Sequence, residues 1–394
     1  MLENKTVLLG VSGGIAAYKI AYLASHLKQA GAEVHVIMTE NACKFISPLT
    51  FETLTGQKCV VDTFERNGTY EVEHVALAKK ADVFMVAPAT ANVMAKLAHG
   101  IADDMLTTTF LACDCPKIVV PAMNTKMFDN PATQDNILCL KKYGIQVVET
   151  ASGYLACGDT GAGKMPEPEV LFDYIERQIA RPKDMVGKRV LVTAGATCEA
   201  IDPVRFITNH STGKMGFALA KECMLRGADV ILVKAATSAT PPRFCHIVDV
   251  VSAGEMFKEV TARSEAADIV IMAAAVSDYT PLQVAVQKVK KSDGDLSLPM
   301  KRTLDILGYL GGNRREGQFL CGFSMETENM IENSKAKLAK KHVDMIVANN
   351  LKDEGAGFGT DTNLVTLITP DDVHQYDLMS KEDVARTVVD RIIG

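Results

Sequence analysis

No apolar run in this 394-residue sequence reaches membrane-spanning length, which excludes an α-helical membrane protein. Basic charge is not in surplus: 42 Lys and Arg stand against 48 Asp and Glu, a net −6, so no nucleic-acid or anionic-membrane surface is expected. Zinc spacing is missing as well. The ten cysteines are scattered, and the nearest pair, Cys113 and Cys115, forms a C-x-C that is no zinc motif. Scattered cysteines fit a reducing cytoplasm, most of them serving as small buried apolar groups. Tryptophan and low-complexity tracts are absent. The first residues run within a few positions into a strand, so no signal peptide is expected. What remains is a composition of globular type, 47% hydrophobic and 23% charged, too long for one ordinary core. Two domains are expected, at 1–182 and 188–394.

Alternation of buried strands with helical periodicity fills both halves. Strands are expected at 5–11, 33–38, 82–87, 117–120 and 145–148. A polar stretch with a proline, Arg181 to Lys188, reads as the linker. The pattern then restarts with strands at 189–195, 229–233, 269–275, 319–323 and 345–348. A late antiparallel pair follows at 363–369 and 374–379. This is an α/β reading: two Rossmann-like domains in series, with parallel strands and right-handed crossovers. Both halves open strand–turn–helix, but their loop sequences differ, so no internal repeat is assigned.

In the first half, Pro121-Ala122-Met123-Asn124-Thr125-Lys126-Met127 follows a buried strand, at the sheet edge where open α/β folds bind ligands. Asn124 offers donors and an acceptor without charge, suited to a carboxylate or a flavin edge. Gly10-Val11-Ser12-Gly13-Gly14 lies between strand and helix, where exposed N–H groups and the helix dipole favour a phosphate. It is not G-x-G-x-x-G. The loop around Thr90 and the run Asp103 to Thr109 add hydroxyls to the same edge. His74 has the pKa range of a base or carboxylate partner. Cys157 is flanked by small and glycine residues that suit a flap more than a packed core.

In the second half, Asp202-Pro203-Val204-Arg205 leads to Asn209-His210-Ser211-Thr212-Gly213-Lys214-Met215-Gly216 and a helix. That inventory suits phosphates and developing acyl-phosphate charge, although no Walker loop occurs. Asp278 closes another strand and suits a sugar hydroxyl, a base or Mg2+. Lys288 opens a short basic run. Lys337 and Lys341 lie four apart, on one side of a helix.

Taken in order, S-G-G-I-A-A-Y-K, E-H-V-x-L-A-x-x-A-D, P-A-M-N-x-x-M and L-A-C-G-D-x-G-x-G resemble the decarboxylase half of the bacterial bifunctional phosphopantothenoylcysteine decarboxylase/phosphopantothenate–cysteine ligase family. D-P-V-R-x-I-x-N-x-S-x-G-K-M-G, A-A-V-S-D-Y, K-V-K-K and G-F-x-x-E-T resemble its ligase half. The resemblance spans roughly 5–180 and 188–392. It implies FMN, Mg2+ and CTP, and the substrates 4'-phosphopantothenate and L-cysteine. It also implies a homo-oligomer of decarboxylase trimers linked by ligase dimers. Catalytic roles would fall to His74, Asn124 and Cys157 in the first half, and to Asn209 and Lys288 in the second. Ser12, Gly13, Thr39, Thr90 and Thr107 would lie near FMN. Asp278, Leu304, Asp305, Ile306, Leu307, Phe323, Lys337 and Lys341 would bind CTP. Phe128 stands where the family often has tryptophan, and Arg302-Thr303-Leu304 precedes Asp305 where the family usually has N-P. An alternative reading is a flavin-binding redox sensor that keeps the decarboxylase fold without its catalysis.

Overall fold

The structure, a computed structural model, describes residues 2–65, 72–154, 158, 160–290, 297–326, 328–350, 357 and 359–394. The chain divides into two compact units, Met1–Pro182 and Lys183–Gly394. Among the described residues no helix is long and apolar enough to cross a membrane.

The first unit runs β1 (Thr6–Val11), α1 (Ala17–Gln29), β2 (Glu33–Met38), α2 (Pro48–Thr55), α3 (Glu73–Lys80), β3 (Val83–Ala89), α4 (Ala91–His99), α5 (Met105–Ala112) and β4 (Lys117–Pro121). After these come α6 (Thr125–Phe128), α7 (Pro131–Lys142), β5 (Gln146–Val147), β6 (Ala151–Tyr154), β7 (Thr160–Lys164) and α8 (Pro168–Ile179). Its main sheet has the order β2-β1-β3-β4-β5, with every pairing parallel. All residues of β1 and β3 are buried, as expected of central strands covered on both faces by helices. Two apolar clusters flank the sheet. Leu9, Val36, Met85 and Ile118 face one side with Leu23 and Ile175; Leu8, Phe84, Val86 and Val119 face the other with Met94 and Leu106.

The second unit runs β8 (Arg189–Ala194), β9 (Cys198–Ala200), β10 (Phe206–Thr208), α9 (Lys214–Leu225), β11 (Asp229–Lys234), β12 (His246–Asp249), α10 (Ala253–Ser264), β13 (Ile269–Met272), β14 (Tyr279–Pro281), β15 (Met300–Arg302) and α11 (Ile306–Gly312). It continues through β16 (Phe319–Glu326), α12 (Met330–Lys341), β17 (Met345–Asn350), β18 (Thr362–Asn363), β19 (Thr366–Ile368), β20 (Val373–Gln375), β21 (Met379–Ser380) and α13 (Lys381–Ile393). The sheet order is β12-β11-β8-β13-β16-β17-β19-β20. It is parallel from β12 to β17 and antiparallel thereafter. Edge strand β12 was not expected; its four residues, His-Ile-Val-Asp, give no buried run to read.

The stretch read as a linker is shorter than expected. Met185 is fully buried, its N–H donates to Arg226 O at 3.0 Å, and Lys183 Nζ donates to Leu225 O. Residues 183–187 therefore pack with the second unit. Arg226, itself 4% exposed, anchors that corner by pairing with Glu222, Asp390 and Asp184.

Candidate active sites

In the first unit the loops leaving β1, β2, β3 and β4 meet at the carboxyl edge of the sheet. Ser12 is fully buried there. Its hydroxyl donates to Pro88 O at 2.6 Å and accepts from Thr90 N–H at 3.1 Å, stitching the β1 turn to the β3 turn. Gly13 is forced: a Cβ there would lie 2.5 Å from Asn41 Cβ. Thr39 N–H donates to Val11 O, and its hydroxyl accepts from Ala42 N–H. Thr90 caps α4 by accepting from Val93 N–H at 3.3 Å, a contact of the kind typically worth about 1 kcal/mol.

Two of the hydroxyls at this edge are engaged within the protein. Thr107 is 2% exposed and closes a capping box with Asp104 at the start of α5, so its hydroxyl serves the helix. The Ser12 hydroxyl is likewise used within the protein. Both hydroxyls thereby hold the shape of this edge.

Asn124 is half-buried and caps α6, its Oδ1 accepting from Lys126 N–H at 2.8 Å. The turn that carries it is tied to β3 through Ala122 N–H to Ala89 O at 3.0 Å. His74 lies in the first turn of α3 and is half-buried. Cys157 lies outside the described residues. The hairpin arms β6 and β7 on either side of it pair antiparallel.

In the second unit a cleft of about 660 Å³ opens at the carboxyl edge of the parallel strands. It is lined by the Ser211–Gly216 turn, Met272–Tyr279, Arg302–Leu307 and Phe323–Met325, and by Lys337, Lys340, Lys341 and Lys381. Thus Asp278, Leu304, Asp305, Ile306, Leu307, Phe323, Lys337 and Lys341, far apart in sequence, share one wall system. The turn before α9 can approach β8 only because Gly216 lacks a Cβ, which would sit 2.6 Å from Ala194 Cβ. Thr303 binds the two inner strips together, its N–H donating to Asp278 O and its hydroxyl to Ser277 O.

Charge in this cleft is organised. Asp305 caps α11 by accepting from Gly308 N–H and pairs with Lys341. Burial alone would raise its carboxyl, but the Lys341 ammonium and the Gly308 N–H more than offset that, and its pKa falls below the usual carboxylate value. Lys337 Nζ donates to Phe323 O at 2.9 Å, and burial pushes its ammonium below the ordinary lysine range. Lys381, only 6% exposed, was missed from sequence. Its ammonium donates to Gly357 O and Thr360 O, and is pushed down by burial and then by neighbouring Lys214. A serine N-cap before an apolar helix marks α13 in the sequence, but nothing local brings its first residue to the cleft.

Asn209 and Lys288 stand at the periphery. Asn209 is exposed and donates through Nδ2 to Ala275 O at 3.2 Å, on the cleft wall. Lys288 is exposed and does not line the cleft as the others do. Its neighbour Val289 is gripped on both sides: the N–H donates to Asp202 Oδ2 at 3.1 Å, and the C=O accepts from Arg205. Asp202 is 3% exposed, and the Arg205 guanidinium together with backbone N–H groups holds its carboxyl far below the usual range.

Among the described residues no cluster of three His, Cys, Asp or Glu side chains is placed to hold a metal. An exposed carboxylate, Asp278, does line the cleft. That suits a magnesium ion carried mainly by nucleotide phosphates and water. The first edge, with its glycine cradle at Gly13, suits a flavin phosphate.

The fold is that of two α/β domains in series, each built on a largely parallel sheet. Residues 1–180 match the Flavoprotein family, and residues 185–394 match the DNA/pantothenate metabolism flavoprotein C-terminal domain. The chain is 49% identical to the coenzyme A biosynthesis bifunctional protein CoaBC of Bacillus subtilis, covering 100% of this chain and 97% of that protein. The same-named protein of Vibrio cholerae is 43% identical, covering 98% of each. A cysteine/cysteine sulfinic acid decarboxylase from an unknown prokaryote is 40% identical over 88% of this chain and 99% of its own. A crystal structure of a CoaBC C-terminal domain, 40% identical, covers 54% of this chain and 96% of its own, with a TM-score of 0.46. The chain belongs to the CoaBC family of bifunctional coenzyme A biosynthesis proteins.

Proposed function

We infer that this chain catalyses two consecutive steps of coenzyme A biosynthesis. The second unit joins 4'-phosphopantothenate to L-cysteine, and the first decarboxylates the resulting phosphopantothenoylcysteine to 4'-phosphopantetheine. The observation that carries this reading is the end-to-end relation to bifunctional CoaBC proteins, with both family domains in series.

In the second unit, CTP would occupy the cleft with Mg2+. Phe323, Leu304 to Leu307 and Asp278 would contact the nucleotide, while Lys337 and Lys341 offset its charge. Carboxylate attack on the α-phosphate gives an acyl-cytidylate and pyrophosphate, and the cysteine amine then displaces CMP. Developing negative charge in both steps favours the dense cation lining. Asn209, at the rim, would stabilise the acyl-cytidylate, and Lys288 would act in its conversion.

In the first unit, FMN would rest at the Ser12–Gly14 turn, near Thr39, Thr90 and Thr107. When bound, the flavin supplies reversible two-electron chemistry that lets CO2 leave without net oxidation. Asn124 would orient the substrate carboxylate, and His74 would act as base or as an orienting partner. Cys157 would donate the final proton. The assembly would be a cytoplasmic homo-oligomer of decarboxylase trimers and ligase dimers.

The redox-sensor alternative is not favoured, because it gives a cation-lined cleft in the second unit nothing to do. The test is an anaerobic, mass-resolved assay of the yellow full-length protein with 4'-phosphopantothenate, L-cysteine, CTP and Mg2+. CMP, CO2 and 4'-phosphopantetheine are expected in equal amounts. Decarboxylation of free L-cysteine with no ligation product would overturn the reading.

A further inference from the structure

The turn that carries Asn124 is held from outside by one arm of the hairpin. Met123 N–H donates to Gly163 O at 3.0 Å, and Thr125 Oγ1 donates to Ala162 O at 2.9 Å. These two bonds fall on the residues immediately before and after Asn124. The arm is shaped to receive them. A Cβ on Gly163, whose φ is +103°, would lie 2.4 Å from Met123 O. A Cβ on Gly161 would lie 2.8 Å from Thr125 Oγ1. Gly163 N–H is in turn fixed by Thr150 Oγ1 at 3.1 Å, so the arm has its own anchor. The two glycines thus do more than allow a turn: each clears space for an atom of the Asn124 segment.

We propose that Thr125 is a positioning residue for decarboxylation: its hydroxyl seats β7 against the Asn124 turn and fixes where the Asn124 amide points. The inference rests on the carboxylate-orienting role given to Asn124. The Thr125 side chain contributes through the hydroxyl; the Met123–Gly163 bond remains when that hydroxyl is removed, so the turn keeps a second attachment. A misplacement of an orienting group by about 1 Å can cost on the order of 100-fold in rate. The ligase site lies in the other unit of the same chain, which supplies an internal control for folding.

The experiment uses full-length FMN-loaded protein and four variants: Thr125→Val, Thr125→Ser, Gly161→Ala and, as benchmark, Asn124→Ala. Measured are FMN per chain, the ligation rate, and kcat and KM for phosphopantothenoylcysteine. Thr125→Val is expected to keep FMN and ligation while kcat/KM for decarboxylation falls on the order of 10- to 100-fold. Thr125→Ser should restore it to within about threefold, because the donor is back. Gly161→Ala, which displaces the hydroxyl, should resemble Thr125→Val. Wild-type decarboxylation by Thr125→Val beside an impaired Asn124→Ala chain overturns the proposal alone. An unimpaired Asn124→Ala chain overturns the role of Asn124 and the proposal with it. Loss of FMN from Thr125→Val, or equal defects in Val and Ser, also overturns it, since either marks a packing role.

Discussion

The two units put their sites at the same edge of the same kind of sheet and fill them with opposite chemistry. At the first edge Ser12, Thr90, Thr107 and Thr125 spend their hydroxyls on the protein's own backbone or side chains. Glycines there provide room, and Asn124 adds an amide without charge. At the second edge Lys214, Lys337, Lys340, Lys341, Lys381 and Arg302 line one cleft. The contrast teaches that a parallel sheet supplies only a place. An edge that positions a bound cofactor can be neutral and rigid, because the cofactor carries the electrons. One that takes a triphosphate, as proposed for the second unit, would need to be cationic, and the lysines of this cleft are kept in order by Asp305, Asp361 and backbone carbonyls.

The sharpest way to break this comparison is to remove charge from one edge only. Lys337→Gln should lower ligation roughly 100- to 1,000-fold, the scale of losing a preorganised electrostatic donor. Decarboxylation of supplied phosphopantothenoylcysteine should stay unchanged; steady-state assays of the two steps in one preparation check both. The mirror experiment removes room from the other edge. Gly163→Ala forces a Cβ into Met123 O at a positive φ, and should destabilise the first unit by about 2 kcal/mol. Its decarboxylation should fall at least about tenfold while ligation persists, read by calorimetry beside the assays.

Asp202→Asn sharpens the comparison by touching order without touching the cleft lining. Its loss should slow ligation about tenfold by loosening the Arg205–Val289 grip beside Lys288. The pH dependence follows from the depressed carboxyl. A depressed folded pKa contributes stability that is present above the unfolded value near 4 and lost as pH falls through the folded one. The melting difference between wild type and Asp202→Asn should therefore be full at pH 7 and shrink progressively below about pH 4. The smallest expected effect is that of salt. Raising ionic strength from about 0.05 to about 0.5 M should raise the KM for nucleotide a few-fold and that for phosphopantothenoylcysteine less.

Much of this architecture is legible in the sequence because buried parallel strands are continuous apolar runs. Thr6–Val11, Val83–Ala89 and Arg189–Ala194 announce themselves, and the parallel α/β topology follows from their alternation with helices. Asp278, Asp305, Phe323 and Lys337, which the family resemblance assigns to one site, also line one cleft. Other features are written in no local pattern. Edge strand β12 is short and half-exposed. Lys381 reaches the cleft through an antiparallel return that places the start of α13 beside α9. The commitments of Ser12 and Thr107 depend on which partner folding brings near, and a sequence shows a hydroxyl without its acceptor. Glycines hide their purpose similarly: Gly161 and Gly163 read as flap residues until Met123 and Thr125 are seen against them.

The central claim is that each unit holds one complete and separable site. The most direct test supplies full-length Lys337→Gln and Asn124→Ala chains with each step's substrates in turn. The account predicts that Lys337→Gln converts supplied phosphopantothenoylcysteine at the wild-type rate but forms none. Asn124→Ala should form phosphopantothenoylcysteine normally and accumulate it. A Lys337→Gln chain unable to decarboxylate the supplied intermediate, with FMN still bound, would contradict the claim.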